Sequence, residues 1–182
     1  MTACEIEGGA RKQLIDALRR DTQARVVDLD GWTALPAFVP PNERRGVVLI
    51  DPSFEQKDEF ERLADGFAEA YAKWPTGSYL IWYPVKSRRA ADTLAREIAQ
   101  ATAAAKTAGA CLRLEFSVAP QETGGPLTST GLLMVNPPWT LRAAGLGGGA
   151  LFALLVFPRL LSERPPHEPG VLPASIARSI SR

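Results

Sequence analysis

The sequence predicts an α/β fold built on a largely parallel sheet, and two observations support this prediction. Short apolar runs that suit strands alternate with longer segments whose apolar residues recur at helical spacing. Several of the apolar runs also end in an acidic residue or a proline. In such folds ligands bind beyond the carboxyl ends of the parallel strands, so the residues at these ends are the candidate site.

The first part of the chain predicts a helix, a strand and a loop. Residues 10–20 have apolar side chains on one helical face and charged ones opposite. Residues 24–29 are a short strand-like run that stops at Asp30-Gly31. Three prolines then predict an irregular loop: Pro36, Pro40 and Pro41.

The middle of the chain predicts a strand, a helix and a second strand. Residues 46–50 are continuously apolar, which is typical of a parallel strand covered on both faces. Residues 57–73 carry apolar side chains at helical spacing, and residues 78–83 form the next strand, which Pro84 ends.

The last elements are a helix and two strands. Residues 88–106 are Ala-rich and end before Gly109, as a helix would. Residues 111–118 alternate between apolar and polar side chains, which predicts a half-exposed strand. Residues 131–135 are the last clear strand of the predicted domain.

Composition narrows the classes of function. The 182 residues suit one domain, and the net charge of +1 gives no overall attraction to nucleic acid. Any such contact must come from local basic clusters, which are more often simply solvated: Arg19-Arg20, Arg44-Arg45 and Lys86 to Arg89.

The cysteine and histidine counts exclude several kinds of site. Cys4 and Cys111 alone cannot form a disulfide framework or a four-ligand zinc site, and they indicate a reducing cytoplasm. His167 is the single histidine, so triads and metal clusters that need several histidines are excluded. The N-terminus has no signal-peptide pattern.

Three acidic residues follow predicted strands. Glu5 lies one helix before the strand that ends at Asp30, and a carboxylate there can accept hydrogen bonds from a ribose diol. The Asp30-Gly31 turn can approach an adenine ring. The alternatives are that Glu5 is a terminal surface residue and that Asp30 forms a turn.

The tetrapeptide Asp51-Pro52-Ser53-Phe54 is the third and sharper signal. The lone pair of an adenine amine is delocalised into the ring, so a site that methylates it must accept its N–H hydrogens. A carboxylate and a backbone carbonyl at a turn that Pro52 fixes can do so, and Phe54 can stack on a flipped base. The alternative is a strand-ending turn with a core phenylalanine.

A second segment, Asn136-Pro137-Pro138-Trp139, matches the [Asn/Asp/Ser]-Pro-Pro-aromatic pattern better. It follows the last predicted strand, however, and a late antiparallel strand would end away from the ligand cleft. We therefore interpret this segment as structural.

Three stretches together resemble a known family: residues 44–52, residues 76–85 with their Trp82-Tyr83-Pro84, and residues 131–139. From Glu5 to about residue 141 the chain resembles the bacterial 23S ribosomal RNA adenine-N6 methyltransferases called methyltransferase J. In that family the late Asn-Pro-Pro-Trp is not the catalytic motif.

The resemblance implies a Rossmann-like, S-adenosylmethionine-dependent methyltransferase that acts on the N6 amine of an adenine in 23S ribosomal RNA, protein-free or precursor. It assigns the cofactor pocket to Glu5, Asp30, Gly31 and Asp51. It assigns the catalytic motif to Asp51, Pro52 and Phe54, with Asp51 as acceptor for the adenine amine. It implies a cytoplasmic protein that needs neither a membrane nor a metal.

The chain also departs from the family. The family's first strand and most of its second are absent, which predicts an unpaired edge on the strand of residues 46–50 and a cofactor pocket without its floor. Ser53 replaces a second proline of the family motif. We predict a partial methyltransferase domain over residues 1–141 and a divergent Gly/Pro-rich tail over residues 142–182.

Two alternatives stay open. The chain is a non-catalytic remnant of the family, which Ser53 and the tail favour, or it methylates adenine in DNA or an amide in protein. The apolar stretch of residues 145–161 is marginal for a membrane span, and we predict a loosely packed helix there.

Overall fold

The computed structural model describes residues 1–43, 45–105, 109–120 and 125–138. Trp139 and the predicted tail of residues 142–182, which includes His167, lie outside this part of the chain. In the described ranges the elements alternate as predicted, in the order β1 (Thr2–Cys4), α1 (Gly8–Leu18), β2 (Arg25–Val27), α2 (Gly31–Phe38), β3 (Val47–Ile50), α3 (Glu59–Lys73), β4 (Ser78–Pro84), α4 (Arg88–Ala104), β5 (Cys111–Ser117) and β6 (Ser129–Val135).

The strands form two sheets. β1 and β2 pair in parallel as one sheet. The second sheet has the order β3-β4-β6-β5, in which β3 and β4 are parallel and β6 is antiparallel to both of its neighbours. The mixed α/β class and the late antiparallel strand are therefore confirmed. The prediction of a largely parallel sheet is correct only for β1 to β4, since β5 and β6 form antiparallel pairs.

β3 is the exposed edge of the larger sheet. It pairs with β4 on one side, and no strand of the described ranges pairs with its other side. Side chains alternate across a strand, so Val48 and Ile50 face the core while Val47 and Leu49 face outward and are 65% and 57% exposed. The unpaired edge is thus confirmed, and the prediction that β3 is covered on both faces is wrong.

One face of the larger sheet packs against α3 and α4. The side chains that build this core include Phe67 and Tyr71 from α3, Leu94 from α4, and Tyr79 and Ile81 from β4. The rings of Phe67 and Tyr71 are stacked with centroids 5.3 Å apart, and Tyr79 meets both rings edge-on. The helical spacing of the sequence therefore marked the buried face of α3 correctly.

The opposite face of the sheet carries a smaller apolar cluster. Trp82, Leu132 and Met134 are buried there, and Leu112 and Leu114 of β5 pack beside them. The alternation predicted for residues 111–118 is confirmed up to Phe116, but Val118 lies beyond the strand and is exposed.

The predicted loop after Asp30 is wrong in its first half, because residues 31–38 form α2. Asp30 is the N-cap of this helix, and its carboxylate accepts hydrogen bonds from the backbone N and hydroxyl of Thr33 at 3.0 and 3.2 Å. Pro36 lies inside the helix and removes one backbone donor. Burial of Ala34 and Leu35 offsets that loss, because the helix packs against α3.

Candidate functional site

The carboxyl end of β3 places Asp51 beside Trp82, which lies two residues before the end of β4. Ile50 pairs with Ile81 in the parallel register, so the next residues of the two segments, Asp51 and Trp82, lie side by side. Asp51 is exposed, whereas Trp82 is buried in the smaller apolar cluster. A carboxylate in this position can face a ligand that lies beyond the strand ends.

Phe54 turns back towards the sheet. Its φ of 55° lies in the left-handed region, which a bulky residue rarely adopts. Its ring lies 4.9 Å from Phe60 and 5.8 Å from Trp82 between centroids, and the residue is half-buried. These aromatic contacts hold the turn of residues 51–54 against the end of the sheet.

Glu5 and Asp30 lie at the carboxyl edge of the smaller sheet. The Glu5 backbone N donates to Val27 O at 3.2 Å, which continues the pairing of β1 with β2. The Glu5 carboxylate accepts a hydrogen bond from Glu7 N at 2.8 Å. Asp30 caps α2, as described above, and Gly31 is exposed beside it.

Strand pairing therefore brings the predicted residues to two sheet edges and not to one. Glu5, Asp30 and Gly31 belong to the smaller sheet, while Asp51, Pro52 and Phe54 follow a strand of the larger sheet. The two edges are linked through α2, which packs on α3.

Asn136 lies at the opposite edge of the larger sheet from Asp51. β6 runs antiparallel to β4, so Asn136 meets the start of β4, where Ser78 Oγ donates to Asn136 O at 2.9 Å. The Asn136 amide donates to Pro75 O at 2.9 Å and to Gly77 O at 2.8 Å. With its φ of 52°, Asn136 is a structural clamp on the turn before β4.

We expect Asn136→Ala to destabilise the protein by about 2 to 3 kcal/mol, since it removes two hydrogen bonds and leaves alanine at a positive φ. Urea unfolding gives the free energy. Asn136→Gly is the matched control: it also loses both bonds but relaxes the backbone, so it should be less destabilised. Equal losses of unfolding free energy in the two variants would contradict the contribution that we assign to backbone strain.

A cluster of ionic contacts surrounds Tyr83 near the end of β4, and no local pattern in the sequence predicts it. Arg113 donates to the Tyr83 hydroxyl, to Glu115 and to Asp92, at 3.1, 2.6 and 2.7 Å. Glu115 also accepts from Arg88 at 2.6 Å. Burial raises the pKa of Tyr83 to about 12, so its hydroxyl keeps its proton near neutral pH.

Glu115 makes the stability of the folded protein depend on pH in the acid range. Burial raises the pKa of Glu115, but the hydrogen bonds and charges of Arg88 and Arg113 outweigh it, so the pKa is lowered overall. A carboxylate whose pKa is lowered by folding stabilises the fold at pH values above the pKa of about 4.3 that it has in the unfolded chain. That contribution is lost as the pH falls through the folded pKa.

We therefore expect the unfolding free energy of the wild type to fall more steeply below about pH 4.3 than that of Glu115→Gln. Urea midpoints measured from pH 7 to pH 3 test this. Glu97→Gln, at an exposed position of α4, is the control and should follow the wild type. Parallel curves for wild type and Glu115→Gln would contradict the assignment.

The described ranges lack both a metal-binding cluster and a membrane-spanning helix. These residues contain no group of three or more His, Cys, Asp or Glu side chains arranged to hold a metal ion. None of their helices has both the length and the apolar character that a bilayer span requires. Cys4 and Cys111 are free thiols.

Comparison with known proteins gives a consistent result. Residues 1–146 match the family model described as "Ribosomal RNA large subunit methyltransferase D, RlmJ". Ribosomal RNA large subunit methyltransferase J of Escherichia coli is 37% identical over 124 residues, which are 68% of this chain and 42% of that protein. The protein of the same name from Haemophilus influenzae is 38% identical over 113 residues, 62% of this chain and 38% of that protein.

A solved structure agrees with the fold. Protein LPL1258 from Legionella pneumophila, described by the family model DUF519, superposes with a TM-score of 0.71 at 28% identity. The superposition covers 84% of this chain and 55% of that one. This chain thus spans about two-fifths of the length of the curated relatives it matches.

Proposed function

Because the chain belongs to the family of the ribosomal RNA large subunit methyltransferases RlmJ, we propose that it methylates the N6 amine of an adenine in 23S ribosomal RNA, with S-adenosylmethionine as methyl donor. The proposed substrate is protein-free or precursor ribosomal RNA in the cytoplasm. The observation that carries the proposal is the exposed Asp51 at the carboxyl end of β3, in a turn held by aromatic packing of Phe54.

In the proposed reaction Asp51 accepts a hydrogen bond from the adenine amine and would take up the proton that the nitrogen loses when it is methylated. The amine nitrogen becomes a better nucleophile as its N–H bonds are held by acceptors and its lone pair leaves conjugation with the ring. Pro52 restricts the backbone next to Asp51, which positions the neighbouring carbonyl as the second acceptor. The half-buried ring of Phe54 offers its remaining surface for stacking on the base.

The acceptor groups of the smaller sheet fit the cofactor in part. Glu5 Oε1 accepts from Glu7 N, and the second carboxylate oxygen of Glu5 suits a ribose hydroxyl. Asp30 commits one oxygen to capping α2, and the exposed Gly31 leaves room beside it. Bound there with Asp51, S-adenosylmethionine would supply an electrophilic methyl group.

The direct test uses the purified 182-residue chain, protein-free 23S ribosomal RNA and S-adenosylmethionine with an isotope-labelled methyl group. Mass spectrometry of the digested RNA should detect labelled N6-methyladenine. Label in another nucleoside would overturn the N6 assignment, and label only in DNA or protein substrates run in parallel would overturn the RNA assignment.

A second candidate is a non-catalytic member of the family, and the exposure of β3 favours it. The outward side chains Val47 and Leu49 are exposed, and no strand of the described ranges pairs with the outer edge of β3, the strand that leads to Asp51. Calorimetric titration with S-adenosylmethionine separates the candidates. Measurable affinity supports the enzyme, whereas no heat of binding from a folded sample supports the non-catalytic form.

A further inference from the structure

A cleft opens at the same edge of the larger sheet as Asp51, on the far side of β4. Its volume is about 540 Å³, and it is lined by residues that follow β4, end β5 and begin β6: Val85, Lys86, Arg88, Ser117, Val118, Ala119, Pro120 and Ser129. The Val85 backbone N donates to Ser129 O at 2.9 Å, and Ser129 Oγ donates to Ser117 Oγ at 2.8 Å. These bonds fix the floor of the cleft.

The described lining of this cleft carries only positively charged side chains. Lys86 and Arg88 line it, and no carboxylate is among its described lining residues. Glu115 neutralises Arg88 through an ion pair of 2.6 Å. Lys86 is exposed and forms no ion pair with the described carboxylates, so its charge is available to a ligand.

The cleft lies within reach of the proposed acceptor site. Asp51 is next to Trp82 across the β3–β4 pair, and Val85 is three residues beyond Trp82. At the rise of a strand this separation is about 10 Å. A nucleotide chain whose target base sits at Asp51 can therefore extend its neighbouring residues into the cleft.

We propose that this cleft binds the RNA strand beside the target adenine, with Lys86 contacting a phosphodiester. The inference rests on the proposed function, because it takes RNA as the substrate. The exposed hydroxyl of Ser117 accepts from Ser129 and can itself donate to a ribose or phosphate oxygen, and the exposed Val118 and Pro120 offer apolar surface to a base. The positive end of the α4 dipole acts in the same direction as Lys86.

The test measures binding of a short, fluorescently labelled, adenine-containing single-stranded RNA to the full chain by anisotropy at several salt concentrations. We expect Lys86→Gln to raise Kd about fivefold and to lower the salt dependence by about one counterion. Lys86→Arg should restore both values. Lys12→Gln, an exposed lysine on α1, is the matched control and should leave them unchanged.

An unchanged Kd and salt dependence in Lys86→Gln would overturn the inference, as would equal effects of Lys12→Gln. The methyl-transfer assay on the wild type is read separately. Methyl transfer without any dependence of RNA binding on Lys86 would defeat this inference alone. RNA binding that depends on Lys86, without methyl transfer, would support the inference and defeat the proposed enzymatic function.

Discussion

Replacement of Asp51 by asparagine should reduce methyl transfer to ribosomal RNA by about 10² to 10³-fold. Asparagine keeps the size of the side chain, so the turn and its aromatic packing should persist. It presents one oxygen in place of a carboxylate and adds an N–H group where the adenine amine needs an acceptor. The loss should therefore appear in the rate of methylation at saturating RNA.

Asp65→Asn is the matched control, because Asp65 is an exposed carboxylate in the middle of α3, away from the strand ends. It should retain the wild-type rate. Urea unfolding of both variants shows whether each is folded. A folded Asp51→Asn protein with the wild-type rate would remove Asp51 from the proposed chemistry, whatever its effect on cofactor affinity.

Gly131→Ala should destabilise the protein by about 3 kcal/mol or more. Tyr83 of β4 lies directly opposite Gly131 of β6 in the antiparallel pair. A Cβ at position 131 would overlap the ring of Tyr83. The ring is fully buried and tied by Arg113 and Glu115, so it has little freedom to move aside. The expected loss of stability therefore comes from steric overlap alone.

The experiment compares urea midpoints of Gly131→Ala and Gly8→Ala. Gly8 begins α1 and has no atom within 4 Å of its added Cβ, so its variant should be as stable as the wild type or slightly more stable. The double variant Tyr83→Ala/Gly131→Ala should be more stable than the sum of the single changes predicts. Additive changes would mean that the ring is not the obstacle.

Much of the fold was predictable because each element carried its own pattern. Apolar spacing marked the buried face of α3, and alternation marked the half-exposed β5. The helix α2 was missed because Pro36 is a strong local signal against a helix. A tertiary contact with α3 and the Asp30 cap outweighed it, and neither is visible in local sequence.

The sequence could predict which residues of the candidate site follow strands, but not which residues become their neighbours. Asp51 at the end of β3 followed from the apolar run before it, but its neighbour Trp82 depended on the strand register. The ionic cluster of Tyr83, Arg88 and Glu115 joins residues that are about 30 positions apart, so no local pattern records it. The prediction that β3 is covered on both faces failed because an apolar run shows what a strand can bury and not what covers it.

The short pairing of β1 with β2 makes the N-terminal part of the described chain the first to unfold locally. α1 buries none of its side chains, and this part of the chain is joined to the rest mainly through α2. We expect residues 2–27 to behave as a cooperative unit that unfolds before the sheet around β4 and β6. In native-state hydrogen exchange its amides should exchange well before those of β6, in which every residue is buried. The half of the proposed pocket that holds Glu5 would thus be shaped by a population of open and closed molecules.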